Sequence, residues 1–351
     1  MKTRLFTFAL ATLLSAGLLA DTDADRLIRQ GRGLLVQQDL WGAKARFEEA
    51  LNSTNHPDAN ALLAVTRLLT LEKTPAGEAI LDKLGFSAGG RTIYNWQSEP
   101  PRDTNGIPFA PASLSAAELS AFWRASVLPA MGASETDLSK ITNTNYTLML
   151  SSAETASEGI EVDYGDILLA RAMLWFAQYA SYTVCSWDLD FLLSELSAAF
   201  RERSATVESM LAAHPNILMI ANTNDLAAAR QAFVKAVELY LQASDFIRTR
   251  TQNTVRFFNY DLEMADGEAM FRQTLIDLTN SLTAPVVLAA DTNLTVYLAP
   301  HFAGQTPSRS FVPRFHENQL VLGSLPDKTF GGVVEGLAQG EIEEWLADIF
   351  G

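Results

Sequence analysis

Asp163-Tyr164-Gly165-Asp166-Ile167-Leu168-Leu169-Ala170-Arg171-Ala172-Met173-Leu174-Trp175-Phe176-Ala177-Gln178-Tyr179-Ala180-Ser181-Tyr182-Thr183-Val184-Cys185 is the stretch whose reading decides the fold. Asp163 stands where a helix N-cap belongs, because a short carboxylate can accept from the orphan N–H groups of a first turn. From Ile167 to Cys185 the only charged side chain is Arg171. A helix apolar on all its faces is expected at the centre of a core, with other helices around it. Arg171 and the flanking acids argue against a membrane span.

Elements on either side of this stretch carry the partner helices. Upstream, Ser115 and Glu118 have capping-box spacing, Leu114 and Leu119 are placed as a hydrophobic staple, and Leu119, Phe122, Trp123 and Val127 form the expected buried stripe. Ser134 and Asp137 repeat the cap pattern before Leu138 and Ile141. Downstream, Leu189 to Arg203 and Thr206 to Ala213 read as amphipathic segments, the second ending at His214-Pro215. Asn224 then caps a long helix in which Leu226, Phe233, Val237, Tyr240, Leu241, Ser244 and Ile247 recur every three or four positions, and Gly267 to Leu282 forms another. Residues 114–283 are therefore read as one helical body in a mainly α fold.

Before that body lie two shorter helices. Small residues at Gly31, Ala43 and Ala50, with bulky Leu27, Leu34 and Phe47, are what two antiparallel helices need to approach closely at some levels and interdigitate at others. Gly31, Leu34, Ala43, Phe47 and Ala50 resemble the small and large positions of a tetratricopeptide repeat, though Gln30 departs from the usual leucine and Pro57 lies two residues late. A second unit, one period of about 34 residues on, sets Ala61, Leu68, Gly77, Leu81 and Leu84 in the corresponding slots, with Val65 where glycine is usual. Thr74-Pro75 marks its helix start. The resemblance covers residues 26–85, so residues 21–85 are read as tetratricopeptide-like hairpins, fewer than the roughly three repeats a free-standing solenoid needs. It implies a concave, partner-binding surface that leans on the rest of the chain.

Residues 86–113 are rich in Gly, Pro and polar residues, with Tyr94, Trp96, Ile107 and Phe109 as apolar anchors, and read as a packed irregular connector. Residues 284–351 read as an irregular tail. Val286-Val287-Leu288 and Leu294 to Leu298 suggest a short β-hairpin, four prolines from Pro300 to Pro326 forbid a long helix, and Glu341 to Leu346 suit a short terminal one. Leu325-Pro326-Asp327-Lys328-Thr329-Phe330-Gly331-Gly332 is the densest turn motif. This motif, with Asp163-Tyr164-Gly165-Asp166, Trp187-Asp188-Leu189-Asp190 and His214-Pro215-Asn216, resembles a group of exported bacterial helical proteins to which no activity is attached.

Lys2 and Arg4, the apolar run Leu5 to Leu14, small residues to Ala20 and then Asp21-Thr22-Asp23-Ala24-Asp25 read as a cleavable secretory signal over residues 1–20. That apolar run falls short of the roughly 20 residues a bilayer requires. The expectation is an exported protein, periplasmic or extracellular. Losing Lys2 and Arg4 takes the formal charge from −15 to −17. Such an acidic chain is ill suited to nucleic acid or an anionic membrane surface, where affinity rests on Lys and Arg neutralising phosphates. Cys185 is the only cysteine, so no intramolecular disulfide can form, and its apolar setting reads as a small buried hydrophobe.

No reactive motif stands out. The four histidines, His56, His214, His301 and His316, form no metal-ligand spacing. Asp21 to Asp25 opens like a calcium loop, but Arg26 and Arg32 occupy the positions needing glycine and the bidentate glutamate. Asp163 with Asp166 and Asp188 with Asp190 are carboxylate pairs that helix capping explains. No G-x-S-x-G elbow appears. Catalytic residues, cofactors and a metal are therefore not expected, and the surface residues singled out are Trp96, His301, His316, Asp327 and Phe330. The expected role is non-enzymatic binding or scaffolding of a protein or peptide partner. The alternative is an extracytoplasmic hydrolase using carboxylates or a metal, for which His301 and His316 would have to meet in space.

Overall fold

The computed structural model describes residues 22–104, 106, 109, 114–155, 157–195, 212–250, 256–258, 265–292, 294–305, 315–316, 319–320 and 333–335. The secretory-signal segment, most of the two amphipathic segments after Glu195, the Asp327 to Phe330 motif and the terminal helix lie outside those residues.

The fold is mainly α. Helix α1 (Asp23–Val36) starts at Thr22, whose hydroxyl accepts from the Asp25 N–H at 3.1 Å while the Asp25 carboxylate accepts from the Thr22 N–H at 3.1 Å. Asp39 caps α2 (Leu40–Leu51), His56 caps α3 (Pro57–Leu69) through Nδ1, and Thr74 caps α4 (Pro75–Lys83) with proline in its first turn. Gly31 is required where α1 crosses α2, because a Cβ there would sit 2.4 Å from the Phe47 ring. Phe47, Ala43 and Ala50 are fully buried, so small and large positions interlock as their spacing suggests.

The Ser115–Glu118 capping box forms as expected and opens α5 (Ala116–Phe122). The helical run then continues through a π-turn at Trp123–Val127 into α6 (Leu128–Ser139). Pro129 lies near the start of α6 and lacks the N–H that an unbroken α-helix would need, which gives this widened turn a local cause. One correction follows. Ser134 and Asp137 are not a second cap but interior residues of α6: the Ser134 hydroxyl donates to Ala64 O at 2.8 Å, and Asp137 accepts from Arg67 at 2.8 Å. A cap needs a preceding break, and the π-turn keeps the run helical.

A hairpin of β1 (Thr147–Leu150) and β2 (Ile160–Asp163), with the short α7 (Ser152–Thr155) between them, leads into α8 (Tyr164–Cys185). Helix α9 (Thr223–Arg248) runs antiparallel to α8: Arg250 beyond its C-terminus meets Asp163, and Asp225 in its first turn meets Arg124 beside the far end of α8. Ala229, Ala232, Ala236 and Ala243 of α9 have no exposed surface, which lets the two backbones approach. The cap of α9 is Asn222, two residues before the expected Asn224; its Oδ1 accepts from Asn224 N at 3.0 Å and Asp225 N at 3.3 Å.

Helix α10 (Ala265–Asn280) packs on α9, with Ser244 donating to Glu268 at 2.6 Å. The tail hairpin forms where its apolar runs suggest: β3 (Val286–Val287) pairs antiparallel with β4 (Thr295–Val296) in the register Val286↔Val296. The short α11 (Ala299–Phe302) sets Phe302 against α9, β5 (Phe315–His316) pairs with β6 (Gln319–Leu320), and β7 (Val334–Glu335) adds a third strand beside β4. Among the described residues, no helix is long and apolar enough to cross a membrane.

Candidate binding groove

Where α8 ends, the chain does not enter another helix at once. Residues 187–192 run as an irregular strap, stitched on both sides, into a helical turn that begins at Leu193. On one side Ala116 N donates to Phe191 O at 2.9 Å and Leu193 N to Leu114 O at 3.0 Å. On the other, Asp188 N donates to Met219 O at 2.7 Å, and Leu218 N to Asp188 O at 2.8 Å. Asp188 and Asp190 therefore belong to the strap rather than to a helix start; Asp188 accepts from the Asp190 N–H at 3.0 Å in a local turn.

Strap, α5 and the last two turns of α8 enclose a groove of about 420 Å³, lined by Leu119, Trp123, Val184, Cys185, Leu189 and Phe191 with smaller residues between them. Trp123 is 37% exposed and Val184 44%. That corrects the expected buried stripe: Val127 is buried and Leu119 and Phe122 are half-buried, while Trp123 is 37% exposed, with no helix among the described residues over this side of α5.

The polar atoms in these walls are consumed internally. Trp123 Nε1 donates to Ser181 Oγ at 2.8 Å, Ser181 Oγ donates to Ala177 O at 2.7 Å, and Ser120 Oγ donates to the Cys185 sulfur at 3.5 Å. Arg124, next to Trp123, turns away to Asp225 at 2.7 Å and to the Cys185 carbonyl at the end of α8, a position where a cation offsets the helix dipole. Cys185 itself is a free thiol only 2% exposed, as its apolar surroundings suggest. Among the described residues the groove thus has no uncommitted hydroxyl or ring N–H with which to read a polar ligand, and its chemistry is burial of apolar surface.

At the opposite end of α8 the side chains do the reverse. Asp163 and Asp166 form a reciprocal cap: Asp163 Oδ1 accepts from Gly165 N at 2.8 Å, and Asp166 Oδ2 accepts from Asp163 N at 2.9 Å. Arg250 lies across both carboxylates, 2.8 Å from Asp163 through Nε and 3.1 Å from Asp166, and Arg256 joins Asp163 to Glu161. Burial pushes the Asp166 carboxyl above its ordinary value, with Arg250 and the Asp163 backbone N–H opposing. This pair is a helix start and an ion-pair junction, closed on itself.

The residues singled out from sequence lie elsewhere. Trp96 is in the connector, 43% exposed, with Nε1 donating to Ser98 O at 2.7 Å and its ring edge-on to Phe86. His301 sits in α11 at 9% exposure, where burial holds its basicity below the ordinary imidazole value. His316 is in β5, paired in register with Gln319. Asp327 and Phe330 are outside the described residues. None of Trp96, His301 and His316 lines the groove, and among the described residues no cluster of three His, Cys, Asp or Glu side chains could hold a metal ion. The groove residues were missed because Leu119 and Trp123 carry the same periodicity as core residues; Pro129 was the available sign that this helix is interrupted. Comparison of the chain with protein-family models, with curated proteins and with solved structures yields no match.

Proposed function

We propose that this chain is an exported, non-enzymatic binding protein that engages a protein or peptide partner through the groove between α5, α8 and the strap. The observation that supports this reading is the union of an open apolar wall with fully committed polar atoms, Trp123 Nε1 on Ser181 above all. Such a surface gains by covering apolar area and has nothing poised for proton transfer or nucleophilic attack. The interlocked α1–α2 pair, with Gly31 against Phe47, supports reading the N-terminal region as a tetratricopeptide-like scaffold that steadies this body.

Site-specific photo-crosslinking in the exported fraction tests the proposal. A photoreactive residue at Ala180, which lines the groove, is expected to give one discrete adduct; the same residue at Lys235, an exposed position of α9, is expected to give none. Equal adducts from both positions, or none from Ala180, would overturn the assignment of the groove.

A further inference from the structure

Away from the groove, the junction of α1, α3 and the β1–β2 hairpin gathers six ionisable side chains: Asp25 and Arg32 of α1, His56 and Asp58 at the start of α3, Tyr146 just before β1, and Glu154 of α7. Apolar packing already joins these elements, with Tyr146 and Leu148 in one core with Leu27, Ile28 and Leu63. We propose that Asp58 and Tyr146 form a proton-operated clasp at this junction, which fastens the N-terminal helices to the hairpin more tightly as the medium acidifies.

Three carboxylates here share one guanidinium, and Glu154 takes it. Arg32 donates to Glu154 through Nε at 2.6 Å and Nη2 at 2.7 Å, and Nη2 also donates to Met149 O at 2.6 Å. Asp25 is answered by the Thr22 hydroxyl at 2.6 Å and by His56 Nε2 at 3.2 Å. Asp58 is left over: among the described residues no cation stands at ion-pair distance from its half-buried carboxylate. Beside that carboxylate lies the Tyr146 hydroxyl, on a side chain only 5% exposed, near enough to feel its charge yet without a hydrogen bond of good geometry. One proton resolves both defects. It removes the cost of holding an uncompensated anion out of water, and it gives Asp58 an O–H that the Tyr146 oxygen can accept.

The neighbours decide which group takes that proton. Burial raises the Asp58 carboxyl and Asp25 adds to it, while His56, the Tyr146 hydroxyl and Arg32 oppose without cancelling the effect. Against the raising effect of burial, Arg32 and Ser151 hold the Glu154 carboxyl down at about 2, and the Thr22 hydroxyl and N–H keep Asp25 below its ordinary value. Burial pushes the Tyr146 hydroxyl up, so it stays protonated. His56 is the competing base. Its Nδ1 accepts the Asp58 N–H at 3.2 Å, which leaves its one ring proton on Nε2 facing Asp25; a second proton on Nδ1 would cost α3 this cap. Asp58 is therefore the first carboxylate of the junction to fill, while the Arg32–Glu154 pair is still intact. Because its folded value is raised, its contribution grows as pH falls through that value and is complete below the unfolded value of 3.8.

Two measurements on the full chain test the clasp. The Asp58 side-chain carboxyl, assigned through its backbone and followed by carbon NMR, is expected to titrate above 3.8. Amide hydrogen exchange over α3 and β1, corrected for the intrinsic pH dependence of the chemistry, is expected to slow at least about threefold between about pH 7 and about pH 4. Asp58→Asn, which mimics the neutral carboxyl, is expected to exchange slowly at both pH values. His56→Asn keeps a capping oxygen and removes the imidazole, and is expected to retain the slowing. Should Asp58→Asn fail to fold, the titration and exchange of the parent still decide. A carboxyl midpoint at or below 3.8, no slowing in the parent, slowing that survives in folded Asp58→Asn, or slowing that disappears in His56→Asn each overturns the inference.

Discussion

The two ends of α8 are built from one continuous 22-residue helix against the same partner α9, yet they solve opposite problems. At Asp163 the chain buries charge and answers every carboxylate with an arginine or a backbone N–H. At Cys185 it exposes apolar side chains and answers every hydroxyl with a neighbour inside the wall. The first arrangement leaves nothing to offer and holds the helix pair together. The second leaves apolar surface uncovered among the described residues, and it is there that the proposed partner would dock. What separates a junction from a docking face here is which kind of surface, polar or apolar, remains without a counterpart.

Breaking the ionic end should have the largest effect. Asp163→Ala removes the cap and one of the two carboxylates that hold the buried Arg250, which keeps Asp166, and the half-buried Arg256, which keeps Glu161; we expect a loss of about 3–5 kcal/mol in urea unfolding, because removing a member of a buried ion-pair cluster adds to the loss of the cap. A loss below about 1 kcal/mol would place that end among exposed pairs of little worth.

Next comes Gly165→Ala. A Cβ there would stand 2.7 Å from Phe246 and 2.9 Å from Arg250, so overpacking should cost about 1–3 kcal/mol. Both changes should leave peptide binding at the far end unaltered beyond the lower folded fraction.

The subtlest effect is one of pH. Burial raises the Asp166 carboxyl, so protonation favours the folded state: its contribution is fully present below the unfolded value of 3.8 and is lost as pH rises through the elevated folded value. Asp166→Asn removes that dependence. The unfolding midpoint of the variant relative to the parent should therefore climb as pH rises above 3.8, and a difference that stays flat or falls would contradict the burial argument.

Local chemistry carried much of this architecture in the sequence. The caps at Ser115, Thr74 and Asp163 each depend on residues two or three positions away, and each forms. The β3–β4 hairpin and the close crossing at Gly31 were also readable, since turn composition and side-chain size act over short range. Ser134 and Asp137 misled because the cap pattern says nothing of whether the preceding turn has ended. The groove was not readable for a different reason. Whether Trp123 is covered depends on which elements pack beside α5, and the course of 187–192 depends on hydrogen bonds to Ala116 and Met219, which no local pattern announces. Asp188 and Asp190 resemble a helix start when viewed alone and become a strap only through those bonds.

The widened turn at Trp123–Val127 acts as a phase adjuster. A single residue advances an α-helix by about 100°, so the extra residue accommodated there lets α5 aim Leu119 and Trp123 at α8 while α6 aims Ser134 at α3, two bearings that one regular helix would not hold together. A one-residue deletion in this turn would swing the aromatic wall a quarter-turn off the trough without touching any residue of either core, which makes helix length, rather than side-chain identity, the most sensitive dimension of this face.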